Sequence, residues 1–393
     1  MSTLASSATD SVPFRRTSDQ EAAALVVDRW MRAPGPQVLR LWGYAGTGKT
    51  TLIRDLVADA GRRWLFAAYT GKAALVMRRL GCAGAQTIHS LIYRPDETQA
   101  TTDLEGRPRI GFRRWADSPL QHAAGIVIDE GSMVDAAVGR DLLSFGKKVL
   151  VIGDPAQLPP VSGAGFFAAD DPDVMLTEVH RQARESGILD LATFVREGGD
   201  PADWQPRAGD CEVRFRTDMP GEAIWRRMLS ADQVIVGTNK TRHRFNAKHR
   251  LILGLAAQSL LPVAGDKVVC LRNEREAGLF NGSTWRVETS AVSKDQTAVT
   301  MGLSSDDGVS EIAGSVCSWS HHFLGREDDI AESRRRQRQE FDYGYHLTCH
   351  KSQGSQWPDV VVFDESRRFD ADTARRWLYT AITRASERLL LVI

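Results

Sequence analysis

The chain has 393 residues and carries 50 basic and 50 acidic side chains, so its formal net charge is zero. This balance argues against a histone-like protein that coats nucleic acid and against an acidic disordered tail, because both show as an excess of one charge. Hydrophobic residues make up 42% of the chain, which is typical of a globular protein. The length favours two or more compact units, since one hydrophobic core seldom supports so many residues.

The sequence shows no sign of export or of membrane insertion. No apolar run approaches the roughly 18 residues that span a bilayer, and the N-terminal segment MSTLASSATDSVPFRR lacks the basic start and apolar stretch of a secretion signal. The cysteines are odd in number, widely spaced and never in a C-x-x-C pair: Cys82, Cys211, Cys270, Cys317 and Cys349. We therefore expect a cytoplasmic protein with no membrane partner, disulfide framework or zinc ribbon.

The N-terminal part of the chain alternates helical and strand patterns. SDQEAAALVVDRW predicts a helix that begins on a Ser18 or Asp19 cap, and VLRLW (Val38–Trp42) predicts a strand that ends at a glycine-rich turn. A helical pattern and the strand-like run WLFAAYT come next. This order is the βαβ rhythm of a parallel sheet.

Residues 93–118 interrupt the alternation. Their sequence is rich in turn formers and has two short strand candidates on either side of Glu105 and Gly106, which favours a projecting hairpin. A surface loop is the alternative that composition leaves open.

The remaining chain again alternates predicted helices and strands, except for one β-rich segment. The runs GIVIDE and KVLVIGD predict two buried strands, and a second α/β stretch from about residue 176 to 259 includes the strand QVIVGTN. Between about residues 261 and 341, short segments such as DKVVCLRN, STWRVETS and TAVTMGL indicate a small β-barrel inserted into the second α/β unit. The C-terminal residues, with VVVFDES and RRWLYTAITRASERLLLVI, again read as strand, helix and strand.

The strongest chemical signal is GYAGTGKT at residues 43–50, which matches G-x-x-x-x-G-K-[ST] between a predicted strand and a predicted helix. Glycines let backbone N–H groups converge on phosphate oxygens, and the helix N-terminus adds partial positive charge. Lys49 is then placed to reach the β- and γ-phosphates, and Thr50 to ligate Mg²⁺. The motif predicts an ATP site formed by Gly43, Gly46, Thr47, Gly48, Lys49, Thr50 and Thr51.

Acidic and amide side chains follow two further predicted strands. In IVIDEGSMV, Asp129 is the expected second Mg²⁺ ligand, and Glu130 is expected to orient and deprotonate the attacking water. In GDPAQLPPV, Gln157 is placed to sense the γ-phosphate or the water. An exposed polar strand end is the alternative for each, but the P-loop motif favours the catalytic interpretation.

A set of motifs in a fixed order extends these signals along the chain: GYAGTGKT, TGKAA, QTIHSL, VIDEGSMVD, GDPAQLPPV, LTEVHRQ, CHKSQGSQW and YTAITRA. Together they resemble the superfamily 1B DNA helicases, in particular the RecD-like and Dda-like branch, from about Ser18 to Ile393. The resemblance implies an α/β fold with two RecA-like P-loop NTPase motor domains and ATP in the cleft between them. It also implies a short hairpin insertion in the first domain and a small β-barrel of the Src-homology-3 type in the second.

The domain boundaries expected on this basis are residues 1–92 and 119–178 for the first motor domain, 93–118 for the inserted hairpin or wedge, 179–260 and 342–393 for the second motor domain, and 261–341 for the inserted β-barrel. The resemblance also implies roles for three residues. Gln20 would read the adenine, and Arg181 and Arg384 would meet the γ-phosphate from the second motor domain. For Arg384 the alternative is an arginine on a helix surface.

Members of this family contact the polynucleotide through loops at the sheet edges opposite the ATP. By resemblance these contacts would come from Thr70, Lys72, Thr87, His89, Thr238, Asn239, His350 and Lys351. Hydroxyls, amides and lysines suit phosphate and sugar contacts, which position a strand without reading its sequence. The aromatic residues Trp42, Tyr69, Phe245 and Trp357 are available for stacking on bases, although a core role is the stronger expectation for each. A metal site at His346, Cys349 and His350 is the weaker interpretation, because no fourth ligand is in sight.

These observations lead to an ATP-dependent DNA helicase that moves 5′→3′ on single-stranded DNA and opens tailed duplexes, with ATP and Mg²⁺ as cofactors. The direction comes from the resemblance alone. A translocase or recombination-complex subunit that does not unwind by itself, and a nucleotide-gated nucleic-acid-binding module, stay open as alternatives, and RNA is not distinguished from DNA. We expect a monomer, with replication or recombination proteins as candidate partners.

Overall fold

The computed structural model describes residues 16–61, 63–102, 108–159, 165–168, 171–179, 185–206, 208–274, 278–306, 314–331, 334 and 337–393. Helices lie at Ser18–Arg32 (α1), Lys49–Asp59 (α2), Gly71–Arg79 (α3), Ile88–Ile92 (α4), Ala136–Leu143 (α5), Gly187–Arg196 (α6), Gly221–Ser230 (α7), Asn239–Ile252 (α8), Ser320–Phe323 (α9), Cys349–Ser352 (α10) and Ala371–Ile382 (α11). Short 3₁₀ turns occupy Pro119–His122, Gly131–Met133, Pro201–Asp203, Glu327–Asp329 and Ser366–Arg368. Within these ranges, no helix combines the length and the apolar composition that a membrane-spanning segment requires.

The strands are Val38–Gly43 (β1), Trp64–Ala68 (β2), Gln86–Thr87 (β3), Tyr93–Thr102 (β4), Pro108–Arg114 (β5), Gly125–Asp129 (β6), Lys148–Gly153 (β7), Val174–Leu176 (β8), Cys211–Arg214 (β9), Gln233–Val236 (β10), Lys267–Cys270 (β11), Thr284–Val292 (β12), Ala298–Ser305 (β13), Ser315–Trp319 (β14), Phe341–Tyr343 (β15), His346–Thr348 (β16), Trp357–Phe363 (β17) and Ala385–Val392 (β18). They form two parallel sheets, one antiparallel sheet and one hairpin.

The first sheet has six parallel strands in the order β3-β2-β6-β7-β1-β8. Its strands are apolar on both faces, because helices cover both sides. In β1, Leu39 and Leu41 pack into one core cluster while Val38 and Trp42 pack into the other, as the two-residue period of a strand requires. This sheet confirms the predicted parallel α/β architecture.

Helix α1 begins one residue earlier than the sequence indicated. The Thr17 hydroxyl accepts a hydrogen bond from the Gln20 N–H at 3.3 Å, and Gln20 Oε1 accepts one from the Thr17 N–H at 3.1 Å. This reciprocal pair is a capping box, so the predicted Ser18 or Asp19 cap was wrong. Asp19 instead accepts a hydrogen bond from the Thr177 N–H at 2.9 Å, which ties α1 to the segment after β8.

An antiparallel hairpin of β4 and β5 interrupts the first α/β unit, with Tyr93 opposite Arg114 at its base. Tyr93 donates to Asp141 of α5 at 2.5 Å, and the Arg94 guanidinium lies 3.4 Å from the centre of the Trp115 ring. The base of the hairpin is therefore anchored to helix α5 of the first α/β unit. The predicted turn around Glu105 and Gly106 lies outside the described residues.

The second sheet has five parallel strands in the order β16-β10-β17-β18-β9. The third sheet is antiparallel, with the order β14-β13-β12-β11-β15, and it packs around Trp285 and Phe341. The chain enters the third sheet after α8 and leaves it just before β16. A buried ion pair joins the two units, because Arg250 Nε of α8 lies 2.8 Å from Asp266 Oδ1.

Two buried histidines pair where α8 meets β16. His249 Nδ1 lies 3.1 Å from His346 Nε2, and the His249 ring stacks on Tyr345 with 4.2 Å between ring centres. Burial lowers the pKa of His249 to about 4, with smaller contributions from Lys267 and Arg286, and burial also lowers the pKa of His346. Both rings are therefore neutral in the folded protein at pH 7.

This pair predicts a loss of stability in acid. In the unfolded chain these rings become protonated below about pH 6.5, whereas in the folded protein His249 is not protonated until about pH 4. The stabilisation is thus complete above pH 6.5, and up to about 3 kcal/mol of it is lost as the pH falls toward 4. We expect the unfolding free energy from urea titrations to depend less steeply on pH in His249→Gln than in the unchanged protein. His122→Gln, at an exposed histidine, is the matched control. Equal slopes for His249→Gln and the unchanged protein would contradict this assignment.

Candidate nucleotide site and nucleic-acid interface

The P-loop joins β1 to α2. Gly46 and Gly48 have φ values of +78° and +70°. The backbone of any residue other than glycine is strained in this region, so the turn requires the glycines of the motif. Lys49 Nζ donates to the carbonyl oxygens of Gly43 at 2.7 Å and Tyr44 at 2.9 Å. The lysine thus lies across its own loop, where it can exchange these carbonyls for phosphate oxygens.

Thr50 and Asp129 meet beside the P-loop. Thr50 Oγ1 donates to Asp129 Oδ2 at 3.1 Å, so a hydroxyl and a carboxylate oxygen are adjacent, and such oxygens are the ligands that Mg²⁺ prefers. Burial raises the pKa of Asp129, while the hydrogen bond from the Glu130 N–H, the Lys49 charge and Thr50 lower it. A bound cation would favour the ionised carboxylate still further.

Glu130 has a strained backbone, with φ of +55° in the left-handed region. Its N–H donates to Asp129 Oδ1 at 2.9 Å, which holds the Asp129 carboxylate against the Glu130 backbone. Burial and the Asp129 charge raise the pKa of Glu130, while the charges of Arg384 and Lys49 lower it. Strained residues of this kind cluster at functional sites, and a half-buried carboxylate with a raised pKa suits proton transfer.

Gln157 follows β7 in the loop that begins at Asp154. Its Nε2 lies 3.5 Å from Asp154 Oδ2, and its Oε1 is buried with no hydrogen-bond partner among the described residues. An acceptor in this state needs a donor to satisfy it. The donor can be a water or a ligand in the adjoining cavity.

Arg384 reaches this cavity from the second sheet. It is 4% exposed, and its guanidinium donates to Thr380 O, Ser355 O and Thr383 Oγ1 at 2.9–3.1 Å. The cavity has a volume of about 1020 Å³ and is lined by the predicted site residues Gly46, Gly48, Lys49, Thr50, Thr51, Asp129, Glu130, Gln157 and Arg384. The structure therefore brings these residues together, while Arg181 lies outside the described residues.

Gln20 is fully buried against the P-loop. Its Nε2 donates to Thr47 O at 2.8 Å, while its Oε1 completes the capping box with Thr17. Thr47 Oγ1 donates in turn to Tyr44 O at 2.8 Å. In this conformation both the amide nitrogen and the amide oxygen of Gln20 are hydrogen-bonded to protein. Recognition of adenine by Gln20 stays a prediction, and it requires Gln20 to give up at least one of these hydrogen bonds.

Three of the predicted strand-contact residues are helix N-caps that end a strand or lie two positions after one. The hydroxyls of Thr70, Thr87 and Thr238 accept hydrogen bonds from backbone N–H groups at the starts of α3, α4 and α8, at 3.1–3.3 Å. Asn239 Oδ1 accepts from Arg242 Nε at 3.2 Å. These side chains thus support the backbone locally, whatever else they bind.

The position of these loops relative to the ATP site differs between the two sheets. Thr70 and Thr87 lie at the carboxyl ends of parallel strands, level with Asp129, so the expectation of an opposite edge was wrong for the first sheet. In the second sheet, Thr238 follows the carboxyl end of β10, whereas Arg384 precedes the amino end of β18. There the two sites do lie at opposite edges.

Lys72 is buried at the junction of all three sheets. It is 3% exposed, its Nζ donates to Gly282 O at 3.3 Å, and it lies 4.6 Å from the centre of the Trp357 ring. A Cβ added at Gly71 would lie 2.3 Å from the Phe280 ring, so the third sheet contacts this loop closely. Lys72 can contact a strand only after these partners separate.

Of the other predicted interface residues, His350 and Lys351 are half-buried, whereas His89 is exposed. His89 lies between the rings of Tyr69 and Tyr93, with ring centres 6.3 and 5.6 Å away. Burial lowers the pKa values of His89, His350 and Lys351. The described residues contain no group of three ligands able to hold a metal ion, and the His346 ring pairs with His249.

Glu365 supports the interface, although we did not predict it from the sequence. Its Oε2 accepts from the N–H groups of Gly237 at 2.8 Å and Thr238 at 3.2 Å, and its Oε1 accepts from Thr241 Oγ1 at 2.7 Å. The carboxylate thus holds the backbone around Thr238 and Asn239. The acidic pair in VVVFDES, directly after a buried strand, was the available signal.

Comparison with known proteins agrees with this geometry. A family model described as an AAA domain matches residues 20–212, and one described as a UvrD-like helicase C-terminal domain matches residues 343–392. The chain is 28% identical to the ATP-dependent RecD2 DNA helicase of Deinococcus radiodurans, over 94% of this chain and 48% of that protein. It is 32% identical to the ATP-dependent DNA helicase dda of Enterobacteria phage T4, over 40% of this chain and 37% of that protein.

A solved structure of Pif1 helicase from Bacteroides, in complex with ADP-AlF3 and single-stranded DNA, has the same fold. Its TM-score is 0.55 at 17% identity, over 96% of this chain and 92% of that one. The chain spans about half or less of the length of the first curated relatives that it matches.

Two parallel sheets that share one nucleotide cavity, with a P-loop on one side and an arginine on the other, define a two-domain P-loop NTPase with RecA-like domains. The matched domains and relatives narrow this class. The domain models matched at residues 20–212 and 343–392, together with these relatives, make the chain similar to the RecD-, Pif1- and Dda-like group of superfamily 1B helicases.

Proposed function

We propose that the protein is an ATP-dependent DNA helicase that couples ATP hydrolysis to 5′→3′ movement on single-stranded DNA and to duplex unwinding. The observation that carries the proposal is the cavity that the two parallel sheets share, which is lined by Lys49 and Glu130 from one and by Arg384 from the other. The similarity to RecD2 and dda, which are ATP-dependent DNA helicases, supports it. The direction rests on the resemblance of the motifs.

In the proposed reaction a water oxygen attacks the γ-phosphorus of ATP, the bond to the β–γ bridging oxygen breaks, and Glu130 accepts the proton of the water. Lys49 leaves its loop carbonyls to bind phosphate oxygens, and Gln157 Oε1 accepts a hydrogen bond from the water. Thr50 and Asp129 would hold Mg²⁺, which neutralises charge on the phosphates. Arg384 stabilises the charge that develops on the transferred group, with Arg181 proposed as a second arginine.

The cleft also offers a means of movement. Arg384 and the P-loop belong to different sheets, so ATP between them draws the sheets together and its hydrolysis releases them. We propose that the loops of Thr70, Thr87, Thr238 and Lys351 hold the strand by its phosphates, because they lie at helix starts, where N–H groups and partial positive charge favour anions. Each cycle would then shift one set of contacts along the strand relative to the other.

We propose that the β4–β5 hairpin separates the duplex, and that the third sheet forms an Src-homology-3-type barrel that supports the hairpin. Opening one base-pair step costs about 1.4 kcal/mol on average, so a stepping motor needs a feature that prevents the strands from closing again. The antiparallel pairing of the hairpin and its anchor at Tyr93 and Asp141 suit a rigid projection. The domain boundaries given above, a monomeric state, a cytoplasmic location and replication or recombination partners stay predictions.

The test of the proposed function is ATPase activity measured with and without single-stranded DNA or RNA, followed by unwinding of duplexes with 5′ or 3′ tails. We expect DNA to stimulate hydrolysis and only the 5′-tailed duplex to open. Stimulation without unwinding would instead indicate a translocase. An ATPase that ignores both polynucleotides would indicate a nucleotide-gated binding module.

Shortening the hairpin tests the proposed wedge. Removal of residues 100–112 should lower the unwinding rate by about tenfold or more, since each open step is about tenfold less populated than the closed one. Strand-stimulated ATPase should stay within about twofold, because the anchor at Tyr93 and the nucleotide cavity are retained. Unwinding at the original rate would show that the hairpin is not the wedge.

A further inference from the structure

Helix α11 of the second sheet contacts the P-loop directly. Its Tyr379 is 2% exposed, and the hydroxyl lies between two loops of the first sheet. Tyr379 Oη donates to Asp154 Oδ2 at 2.7 Å and accepts from the Ala45 N–H at 2.8 Å. Ala45 belongs to the P-loop and Asp154 follows β7, so one hydroxyl joins both loops to the second sheet.

The same helix holds the segment that carries Gln157. Thr380 Oγ1 accepts from the Leu158 N–H at 2.8 Å, and Arg376 Nη1 donates to Pro155 O at 2.6 Å. Asp154 Oδ1 accepts from the Ala156 N–H at 3.0 Å, which orders the start of the loop. Burial and the Asp154 carboxylate raise the pKa of Tyr379 well above its ordinary value, so the hydroxyl keeps the proton that it donates.

We propose that Tyr379 is a positioning residue for ATP hydrolysis, which fixes the P-loop and the Asp154–Gln157 segment relative to each other while the two parallel sheets are in contact. The inference rests on the ATPase function proposed above. Tyr379 acts through the backbone of Ala45 and the carboxylate of Asp154, without any requirement to touch ATP. Because the hydroxyl comes from the second sheet, this arrangement exists only when the cleft is closed.

Removal of the hydroxyl has a defined consequence. Asp154 Oδ2 loses its shortest hydrogen bond, and the Ala45 N–H loses its acceptor inside the protein. Buried polar groups without partners force the surrounding loops to move, and a displacement of about 1 Å at reacting groups can cost about 10²-fold in rate. The phosphate contacts of Lys49 and of the P-loop glycines stay in place. The rate of the chemical step should therefore suffer more than the affinity for ATP.

The experiment is steady-state ATPase kinetics of Tyr379→Phe at saturating single-stranded DNA. We expect kcat to fall by about 10- to 100-fold, while KM for ATP changes by less than about threefold. Tyr343→Phe is the matched control, because Tyr343 is also buried and donates its hydroxyl to Leu260 O at 2.8 Å in the third sheet. The control should lower the thermal midpoint to a similar extent and leave kcat unchanged.

A double variant separates positioning from a general loss of stability. If Tyr379 acts through Asp154, Tyr379→Phe with Asp154→Asn should have a kcat close to that of the slower single variant, rather than the product of both effects. An unchanged kcat in Tyr379→Phe, a raised KM at unchanged kcat, or fully multiplicative effects would overturn the proposal. Loss of ATPase in the unmodified protein would instead refute the proposed function, so the two failures are distinguishable.

Discussion

Lys49→Ala is expected to lower kcat for ATP hydrolysis by about 10³-fold or more, because a cation aimed at the transferred phosphoryl group contributes on this scale. In the structure Lys49 Nζ is held by Gly43 O and Tyr44 O, so it is poised at the loop and needs no large rearrangement to reach phosphate. The same charge lowers the pKa values of Asp129 and Glu130. Its removal therefore also leaves the negative charges of these two half-buried carboxylates less well compensated.

The measurement is single-turnover hydrolysis together with binding of a fluorescent single strand. Strand affinity should be retained within a few-fold, since Lys49 lies in the nucleotide cavity. Lys294→Ala, at an exposed lysine of the third sheet region, should leave both quantities unchanged. Near-normal turnover in Lys49→Ala would show that this cavity is not the site of ATP hydrolysis.

Arg384→Ala is the second large expected effect, a decrease in kcat of about 10³- to 10⁵-fold. The guanidinium is held by Thr380 O, Ser355 O and Thr383 Oγ1, which fix it at the edge of the second sheet that faces the P-loop. Its charge already lowers the pKa of Glu130 across the cleft. An arginine so placed can follow the γ-phosphate as negative charge spreads over it.

Nucleotide binding and turnover separate this effect from a folding defect. We expect Arg384→Ala to bind ATP with an affinity close to that of the unchanged protein, and Arg384→Lys to recover only part of the rate because it restores the charge without the planar fork. Arg388→Ala, which removes an exposed guanidinium of β18 that lies 3.0 Å from Asp359 of β17, is the control and should hydrolyse ATP normally. If Arg384→Ala retained its rate, the cleft would not be the catalytic site.

The sequence predicted the parts of the fold that local patterns determine. Runs such as VLRLW and GIVIDE became parallel strands of the first sheet, because their mostly apolar side chains are covered on both faces. The P-loop and the Asp129–Glu130 pair were found for a similar reason, since their function depends on neighbours in sequence and on a short turn at a strand end.

Contacts between residues far apart in the sequence could not be predicted from local patterns. Lys72 was predicted from its motif as a strand contact, but its conformation depends on Gly282, more than two hundred positions away in the chain. The hydroxyl of Tyr379 likewise acquires its role from Ala45 and Asp154. Neither partner leaves a periodic trace in the local sequence, because tertiary packing alone brings them together.

Lys72 donates its hydrogen bond to the backbone carbonyl of Gly282, and this choice of acceptor determines which second mutations could compensate for a change at residue 72. Because Gly282 offers a backbone carbonyl, no side-chain replacement at residue 282 deletes the hydrogen bond, and a defect at residue 72 cannot be repaired by a complementary charge there. The Gly282 φ of +86° also disfavours other residues at this position. Suppressors of a Lys72 variant are therefore expected at Trp357 or Phe280, which pack against the same loop. In an alignment of relatives, substitutions at residue 72 should likewise correlate with substitutions at these aromatic neighbours. They should not correlate with substitutions at residue 282.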